Sequence, residues 1–232
     1  MKFLLPEDFA TPKGRRRAWR SLLLDDHGVL RTVYDNTHRL SEEMWRSYQP
    51  SPGRIARWSR LGVRTIVNLR GLRNHERQPG FYFLEEEAAK RHGIRLVNFR
   101  AYSREAPKPE FILGLAELFD SIEYPALLHC KSGADRAGLA SALYLFLRAE
   151  RPLDEALQQL TFRYGHVRHG KTGVLGAFFD AYRAAARAEG AAETPEHFLS
   201  WVREEYDRDA VQAAFRPTTL GALLTEHVLR RE

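Results

Sequence analysis

From residue 51 onward, apolar and polar positions recur in a pattern that predicts helices and strands in turn. Ser51 offers a helix N-cap ahead of Ile55, Trp58 and Leu61, which fall on one helical face. The run 63–69 that follows is rich in β-branched residues and stops shortly before a glycine, which is typical of a strand. The regular part of the chain therefore begins with a helix and then a strand.

The same alternation continues toward the C-terminus. Phe111, Leu115, Leu118 and Ile122 share one face of a predicted helix over 110–122. Strands that alternate with helices are typical of an α/β fold, so we expect a central, mostly parallel sheet flanked by helices, with a helical C-terminal appendage. The other predicted helices are 83–92, 139–146, 153–160, about 173–187 and 194–206, and the other predicted strands are 94–99 and 126–129.

The pattern divides the chain into three predicted regions. Residues 1–44 form an N-terminal extension that packs on the core, residues 45–190 form the main domain, and residues 191–232 form a helical appendage ending in Val228-Leu229-Arg230. The extension carries a basic run at 13–17, which we interpret as a solvated face rather than a patch for nucleic acid or membrane.

Charge and cysteine content narrow the class of protein. The 232 residues carry a net charge of +6, which favours anionic partners, among them phosphorylated molecules and acidic membrane surfaces. A single cysteine excludes an intrachain disulfide and fits a reducing compartment. The longest apolar stretch, 139–147, is too short for a membrane helix, so we predict a cytoplasmic protein.

The segment 129–138 carries the most informative chemistry. It joins a predicted buried strand to a predicted helix, a junction that aims backbone N–H groups and the positive helix end at one point. Cys130 at the start of this loop is placed to act as a nucleophile. Arg136 can hold two phosphate oxygens with its planar fork, and Gly133 lets the backbone bend around the anion. The predicted phosphate-binding residues are Lys131, Ser132, Gly133, Ala134 and Arg136.

A bare Cys-x5-Arg pattern is weak evidence in a chain so rich in arginine. The pattern becomes specific when His129 precedes the cysteine, a glycine lies inside the loop, and a strand and an amphipathic helix flank it. The simplest alternative is that Cys130 is a buried core thiol.

At these residues the chain resembles the protein tyrosine phosphatase superfamily, and most closely its compact dual-specificity-like members of bacterial type, whose signature is His-Cys-x5-Arg. The likeness covers roughly residues 45–150, and the runs 45–50 and 67–70 add to it. The resemblance implies a phosphocysteine intermediate at Cys130, phosphate binding by Arg136, and no metal or other cofactor. The substrate it implies is a phosphorylated protein, lipid or inositol phosphate.

Two positions depart from the pattern of that family. The residue after the arginine, commonly Ser or Thr there, is Ala137, so breakdown of the phosphoenzyme could be slow or Ser132 could substitute. The family also places a general-acid aspartate on a loop about thirty residues before the cysteine, whereas this chain has no aspartate between Asn36 and Phe119.

Two acids compete for the role of proton donor. Glu105 lies on the loop equivalent to the family's acid loop, and Asp135 lies directly before Arg136, where myotubularin-like lipid phosphatases also carry an aspartate. We predict Asp135, although it could instead cap the following helix. Arg104 and Lys131 could contact further phosphates of a substrate, or could be ordinary surface residues.

A second motif, Gly-x4-Gly-Lys-Thr at 165–172, matches a nucleotide-binding P-loop. The spacing of apolar residues before it is helical, whereas a true P-loop follows a buried strand. We therefore expect a basic rim near the phosphate loop, or a plain exposed turn, formed by His166, Arg168, His169 and Lys171. Three functions remain: a phosphatase, a slow or inactive phosphate-binding module, and a nucleotide-dependent enzyme. We expect no nucleic-acid partner, and peripheral contact with an acidic membrane surface stays open.

Overall fold

The computed structural model describes residues 3–26, 28–29, 34–72 and 77–218. The chain forms two compact units, the first made of Met1–Arg100 and Glu123–Gly133 and the second of Ala101–Ile122 and Ala134–Glu232. The predicted end of the appendage at 228–230 lies outside the described residues. The predicted boundaries after residues 44 and 190 stay predictions.

The first unit is built on a five-stranded sheet. Its strand order is β2-β3-β7-β4-β6, and all neighbours are parallel except the antiparallel pair of β2 and β3. The predicted mostly parallel sheet is therefore confirmed, and the antiparallel edge strand β2 is an addition to the prediction. The strands of this unit are β1 (Phe3–Leu4), β2 (His38–Arg39), β3 (Met44–Tyr48), β4 (Thr65–Asn68), β5 (Gln78–Pro79), β6 (Arg95–Asn98) and β7 (Ala126–Cys130), with β1 and β5 forming a separate antiparallel pair.

Strand β7 lies between β3 and β4, and all five of its residues are buried. A strand covered on both faces needs a continuous apolar run rather than alternation, which explains the sequence Ala-Leu-Leu at its start. The register places Cys130 opposite Tyr48 and His129 opposite Asn68. The end of the central strand thus carries the predicted nucleophile.

Helices of the first unit pack against this sheet through one apolar cluster. Ile55 and Trp58 of the third helix meet Ile66 and Leu127 of the sheet. The predicted third member of that helical face, Leu61, is 53% exposed, because the helix ends at Arg60 and the chain turns at Gly62 with φ of +84°. The helices are α1 (Pro6–Ala10), α2 (Pro12–Arg20, continued by a π-helical turn Ser21–Asp25), α3 (Pro52–Arg60) and α4 (Gly80–Arg91).

The second unit is helical in its described part. Its centre is a set of aromatic rings in mutual contact, among them Phe178, Phe198 and Trp201. The predicted helical C-terminal portion is therefore present. Its helices are α5 (Pro109–Ser121), α6 (Asp135–Leu143, continued by a π-helical turn Tyr144–Arg148), α7 (Leu153–Leu157), α8 (Val174–Glu189), α9 (Pro195–Glu204) and α10 (Arg208–Ala214).

The buried face of α5 differs from the predicted one. Ile112, Leu115 and Phe119 are buried, whereas Phe111 and Leu118 are partly exposed. Both sets have helical spacing, and the ring of Phe119 selects the first by packing edge-on against Tyr144 at 5.4 Å. In the described ranges, no helix is long and apolar enough to cross a membrane.

Candidate active site

Cys130 is the last residue of β7 and is 2% exposed. The carbonyl of Lys131, the next residue, accepts a hydrogen bond from the backbone N–H of Gln49 at 3.3 Å. The chain therefore leaves the sheet directly after the cysteine, and its first step is anchored to the segment that follows β3.

The first half of the loop is shaped by side chains that bind its carbonyl groups. Asn36 donates to the carbonyl of Ser132 at 3.0 Å, and the buried guanidinium of Arg46 donates to the carbonyl of Gly133 at 2.6 Å. Both bonds fix the orientation of peptide groups in the segment that the sequence assigns to phosphate binding.

Gly133 is required at its position for two reasons. Its φ is +72°, in the left-handed region that favours glycine, and a Cβ there would lie 2.9 Å from the backbone nitrogen of Tyr48. The predicted bend at this glycine is therefore present in the structure. The partners Asn36 and Arg46 were missed in the sequence, although Arg46 lies within a run that resembles the family.

A buried polar network lies under His129. The Nε2 of His129 is 2.7 Å from Oε1 of Glu85, and both side chains are fully buried. Gln49 donates to the other carboxylate oxygen of Glu85 at 2.7 Å. Arg70 donates to Gln49 at 2.9 Å and also to Asp26 at 2.9 Å.

This network holds the residue next to Cys130 in one orientation. Buried charged groups are tolerated where they are paired and hydrogen-bonded, and here each step of the path Asp26, Arg70, Gln49, Glu85 and His129 supplies a partner to the next. The sequence indicated His129. Gln49 and Arg70 lie within runs that resemble the family but were given no role, and Asp26 and Glu85 were missed.

The second half of the motif belongs to the second unit. Helix α6 takes Ala134 as its N-cap and begins at Asp135, so Asp135 does not occupy the capping position itself. Asp135 is 6% exposed and Arg136 is 8% exposed. Oδ1 of Asp135 lies 2.8 Å from Nδ1 of His166, which is 1% exposed.

His166 lies near the predicted phosphate loop through its contact with Asp135, as expected, but it is buried and so is not part of an exposed rim or turn. A 3₁₀ turn at Phe162–Tyr164 is followed by Gly165 with φ of +84°, and His166 then bonds back through its N–H to the carbonyl of Thr161 at 3.1 Å. This local turn directs the ring inward, while Arg168 and His169 remain exposed as expected. His166 is thus a neighbour of Asp135 that the sequence did not reveal.

The nucleotide-binding alternative fails its structural condition. Helix α7 and two short 3₁₀ segments precede Gly165, where a P-loop requires a strand. The glycine-lysine pattern at 165–172 therefore marks a turn in the helical unit.

The loop that carries the alternative acid is bound to α10. Arg208 forms an ion pair with Glu105 at 2.8 Å and donates to the carbonyl of Ala106 at 3.0 Å. The hydroxyl of Tyr206 donates to the carbonyl of Pro107 at 2.9 Å. Glu105 remains 48% exposed on its side chain, and Arg104 is exposed as well.

A family model described as "DSP-PTPase phosphatase fused to NAD+ Kinase" matches residues 29–170, which include Cys130, Asp135, Arg136 and His166. The chain belongs to this family. It is therefore a compact dual-specificity-like member of the protein tyrosine phosphatases, as the resemblance predicted, and a cysteine-dependent phosphatase. A phosphorylated molecule is its substrate.

Two curated relatives of this phosphatase are dual specificity protein phosphatases TpbA from Pseudomonas aeruginosa. The one from strain UCBPP-PA14 is 27% identical over 178 residues, which cover 73% of this chain and 74% of the relative. The one from strain PAO1 is 25% identical over 185 residues, which cover 75% of this chain and 78% of the relative.

Solved structures similar to this phosphatase include P. aeruginosa TpbA and PTPMT1. The TpbA structure has a TM-score of 0.47 at 18% identity and covers 78% of this chain and 91% of its own. The PTPMT1 structure has a TM-score of 0.47 at 16% identity and covers 66% of this chain and 99% of its own.

Proposed function

We propose that this phosphatase hydrolyses phosphomonoesters through a phosphocysteine formed at Cys130. The observation that carries the proposal is the position of this cysteine, which ends the buried central strand ahead of a loop whose carbonyls are engaged by Asn36 and Arg46. Backbone amides in such a loop, together with the guanidinium of Arg136, bind the phosphate oxygens. The contributing loop residues are Lys131, Ser132, Gly133 and Ala134.

The reaction proceeds in two balanced steps. The Cys130 thiolate attacks phosphorus, a sulfur–phosphorus bond forms, the ester bond to oxygen breaks, and the leaving oxygen takes a proton from the general acid. Water then attacks phosphorus, the sulfur–phosphorus bond breaks, and the general acid recovers a proton from that water.

We propose that Asp135 is the general acid of the first step and, once deprotonated, the general base of the second. Its carboxylate is nearly buried and has His166 as a partner, and it is adjacent in sequence to the phosphate-binding arginine. The competing Glu105 has its carboxylate engaged by Arg208 at the surface. The difference in environment favours Asp135, because a catalytic acid works best where water is excluded.

The proposed substrate is a phosphotyrosine-bearing protein, since the relatives are named dual specificity protein phosphatases. A phosphorylated lipid or inositol is the second candidate. Lys131 within the loop and the net charge of +6 favour a substrate with more than one negative group. For Arg104 we propose contact with a second phosphate of such a substrate. The proposed location is cytoplasmic.

A test of this function is hydrolysis of p-nitrophenyl phosphate in the presence of EDTA, with the parent chain and Cys130→Ser compared. We expect metal-independent turnover by the parent and none by the variant, which should still bind vanadate because the loop and Arg136 remain. Arg136→Lys should lose nearly as much, since one ammonium cannot form two parallel hydrogen bonds. Undiminished turnover by Cys130→Ser would end the proposal.

The alternative of a slow phosphate-binding module rests on Ala137 and on the absence of an aspartate from the upstream loop. Ala137 lacks a hydroxyl and is fully buried in α6. A parent chain that binds vanadate and yet releases no phosphate from any substrate tested would favour this alternative.

A further inference from the structure

Helix α2 and the turn that follows it have one face fixed against the first unit. Gly14, Ala18, Ser21 and Leu22 are buried on this face. At Gly80, the first residue of α4, a Cβ would lie 2.5 Å from the Cα of Ala18, so the two helices approach as closely as their backbones permit. The opposite face of α2 is therefore held outward in a defined orientation.

That opposite face combines cations with large apolar side chains. Trp19 is 42% exposed, Leu23 is 40% exposed and Leu24 is 58% exposed. Lys13, Arg16 and Arg20 are exposed beside them. We call this surface the Arg–Trp face, and its residues are Lys13, Arg16, Trp19, Arg20, Leu23 and Leu24.

Among the residues that the structure describes, no acidic side chain engages the cations of the Arg–Trp face. Within the described parts of the chain, Lys13, Arg16 and Arg20 have no ion-pair partner, whereas their neighbour Arg15 bonds to Glu87 at 3.0 Å. Helix α2 itself contains no acidic residue. A compact positive surface thus stands next to three apolar side chains in contact with water.

The presence of both cations and exposed apolar side chains on the Arg–Trp face favours one kind of anionic partner over another. A nucleic-acid backbone would bind the cations but gain nothing from Leu23 and Leu24. At the surface of a bilayer that contains anionic lipids, the cations meet the headgroups, tryptophan lies at the headgroup level, and leucines reach the acyl boundary. We propose that the Arg–Trp face docks this phosphatase on an anionic lipid bilayer. This proposal replaces the interpretation of the basic run 13–17 as a merely solvated face, because the exposed apolar side chains beside the run were not evident in the sequence.

The proposal is independent of the catalytic role of Cys130. The turn that carries Leu23 and Leu24 leads to Asp26, which pairs with Arg70 in the network under His129, so the docking surface and the nucleophile belong to the same unit. The proposed membrane contact therefore determines the location of the enzyme, and it does not depend on which phosphorylated molecule the enzyme cleaves.

Co-sedimentation of the full chain with vesicles tests the electrostatic part. We expect binding to phosphatidylcholine vesicles that contain phosphatidylserine and none to pure phosphatidylcholine. Each cation lost should weaken binding about fivefold, so the double variant Arg16→Glu, Arg20→Glu should weaken it by ~25-fold or more.

The matched control is Arg57→Glu, Arg60→Glu, which makes the same change of charge at exposed positions of α3. This control should bind the anionic vesicles within about twofold of the parent if the effect is local. An equal loss of vesicle binding in both double variants would mean that binding depends only on the net charge of the protein, and it would overturn the proposal. All variants should keep their circular dichroism spectrum and their turnover of p-nitrophenyl phosphate.

Fluorescence tests whether the apolar part enters the lipid. Of the four tryptophans, Trp58 and Trp201 are buried and Trp45 is half-buried, so Trp19 is the one exposed enough to meet a quencher in the membrane. Vesicles with brominated acyl chains should quench the parent and not Trp19→Phe, which should still sediment with them. Lack of quenching in the parent, or binding to DNA with no binding to anionic vesicles, would contradict the proposal.

Discussion

Nδ1 of His166 lies 2.8 Å from Oδ1 of Asp135, and both residues are almost completely buried. The contact joins a turn that resembles a P-loop in sequence to the first residue of the helix that carries Arg136. Since Asp135 is the proposed acid, the histidine is placed to hold its carboxyl group in one rotamer.

We therefore expect His166→Ala to slow hydrolysis of an alkyl phosphate about 10- to 100-fold, the range that loss of a hydrogen bond to a charged group gives. His166→Asn should recover part of this rate because its amide can donate from nearly the position of Nδ1. The exposed neighbour provides the control, and His169→Ala should be unchanged. Steady-state rates with a fixed alkyl substrate measure all three variants, and equal rates in the Ala and Asn variants would exclude a hydrogen-bonding role.

The general acid can be identified from how strongly the effect of its removal on turnover depends on the leaving group. Charge accumulates on the leaving oxygen in phosphoryl transfer, so protonation matters for an alkyl alcohol and little for nitrophenolate. Asp135→Asn should lower turnover of an inositol phosphate by about 10²- to 10⁴-fold and affect p-nitrophenyl phosphate much less.

Glu105→Gln serves as the comparison and should affect both substrates only mildly, since its carboxylate pairs with Arg208 at the surface. The opposite result, with Glu105 sensitive to the leaving group and Asp135 insensitive, would return the acid to the upstream loop.

Ala137 should make the second chemical step slow. The family commonly has a hydroxyl at this position, where it stabilises the cysteine as leaving group, and this chain has a buried methyl group. We expect rapid-mixing experiments with p-nitrophenyl phosphate to show a burst of nitrophenolate followed by slower turnover. Ala137→Ser should speed the slow phase and reduce the burst. Combining Ala137→Ser with Ser132→Ala would show whether Ser132 supplies the missing hydroxyl. If it does, the slow phase of the double variant should differ in rate from that of Ala137→Ser alone.

Glu85 should contribute far more to the free energy of unfolding than its acidic neighbours. Removing one partner of a buried pair costs about 3–5 kcal/mol, so Glu85→Ala should lower the free energy of unfolding by that amount. Glu87, two residues further along α4, pairs with Arg15 at the surface, where such pairs contribute little to stability. Denaturant unfolding of Glu85→Ala and Glu87→Ala measures the contrast, and similar losses would mean that the contact with His129 contributes little.

The elements around the cysteine were predictable because their signals are local. The buried run before Cys130, the glycine in the loop and the apolar spacing after Arg136 each indicate one element, and the structure has β7, the bend and α6 where they were predicted. The fold class followed from the alternation of such signals along the chain.

The partners of the loop could not be predicted because they depend on tertiary contacts. Glu85 belongs to a run of three glutamates, and nothing in that run indicates that the first is fully buried against His129 while the third is at the surface. His166 was similarly hidden in a motif typical of another function. In α5 two sets of positions fit helical spacing equally well, and the ring of Phe119 decides between them.

The bond between Asp26 and Arg70 also determines which pieces of this chain can be expected to fold alone. A fragment trimmed to the predicted main domain at residue 45 would discard the carboxylate and leave the guanidinium of Arg70, which is 2% exposed, without that partner. Proteolytic removal of the first forty-four residues is therefore expected to inactivate the enzyme by unfolding its sheet. We therefore expect the N-terminal extension to behave as part of the catalytic module, so expression or engineering of the module should retain it.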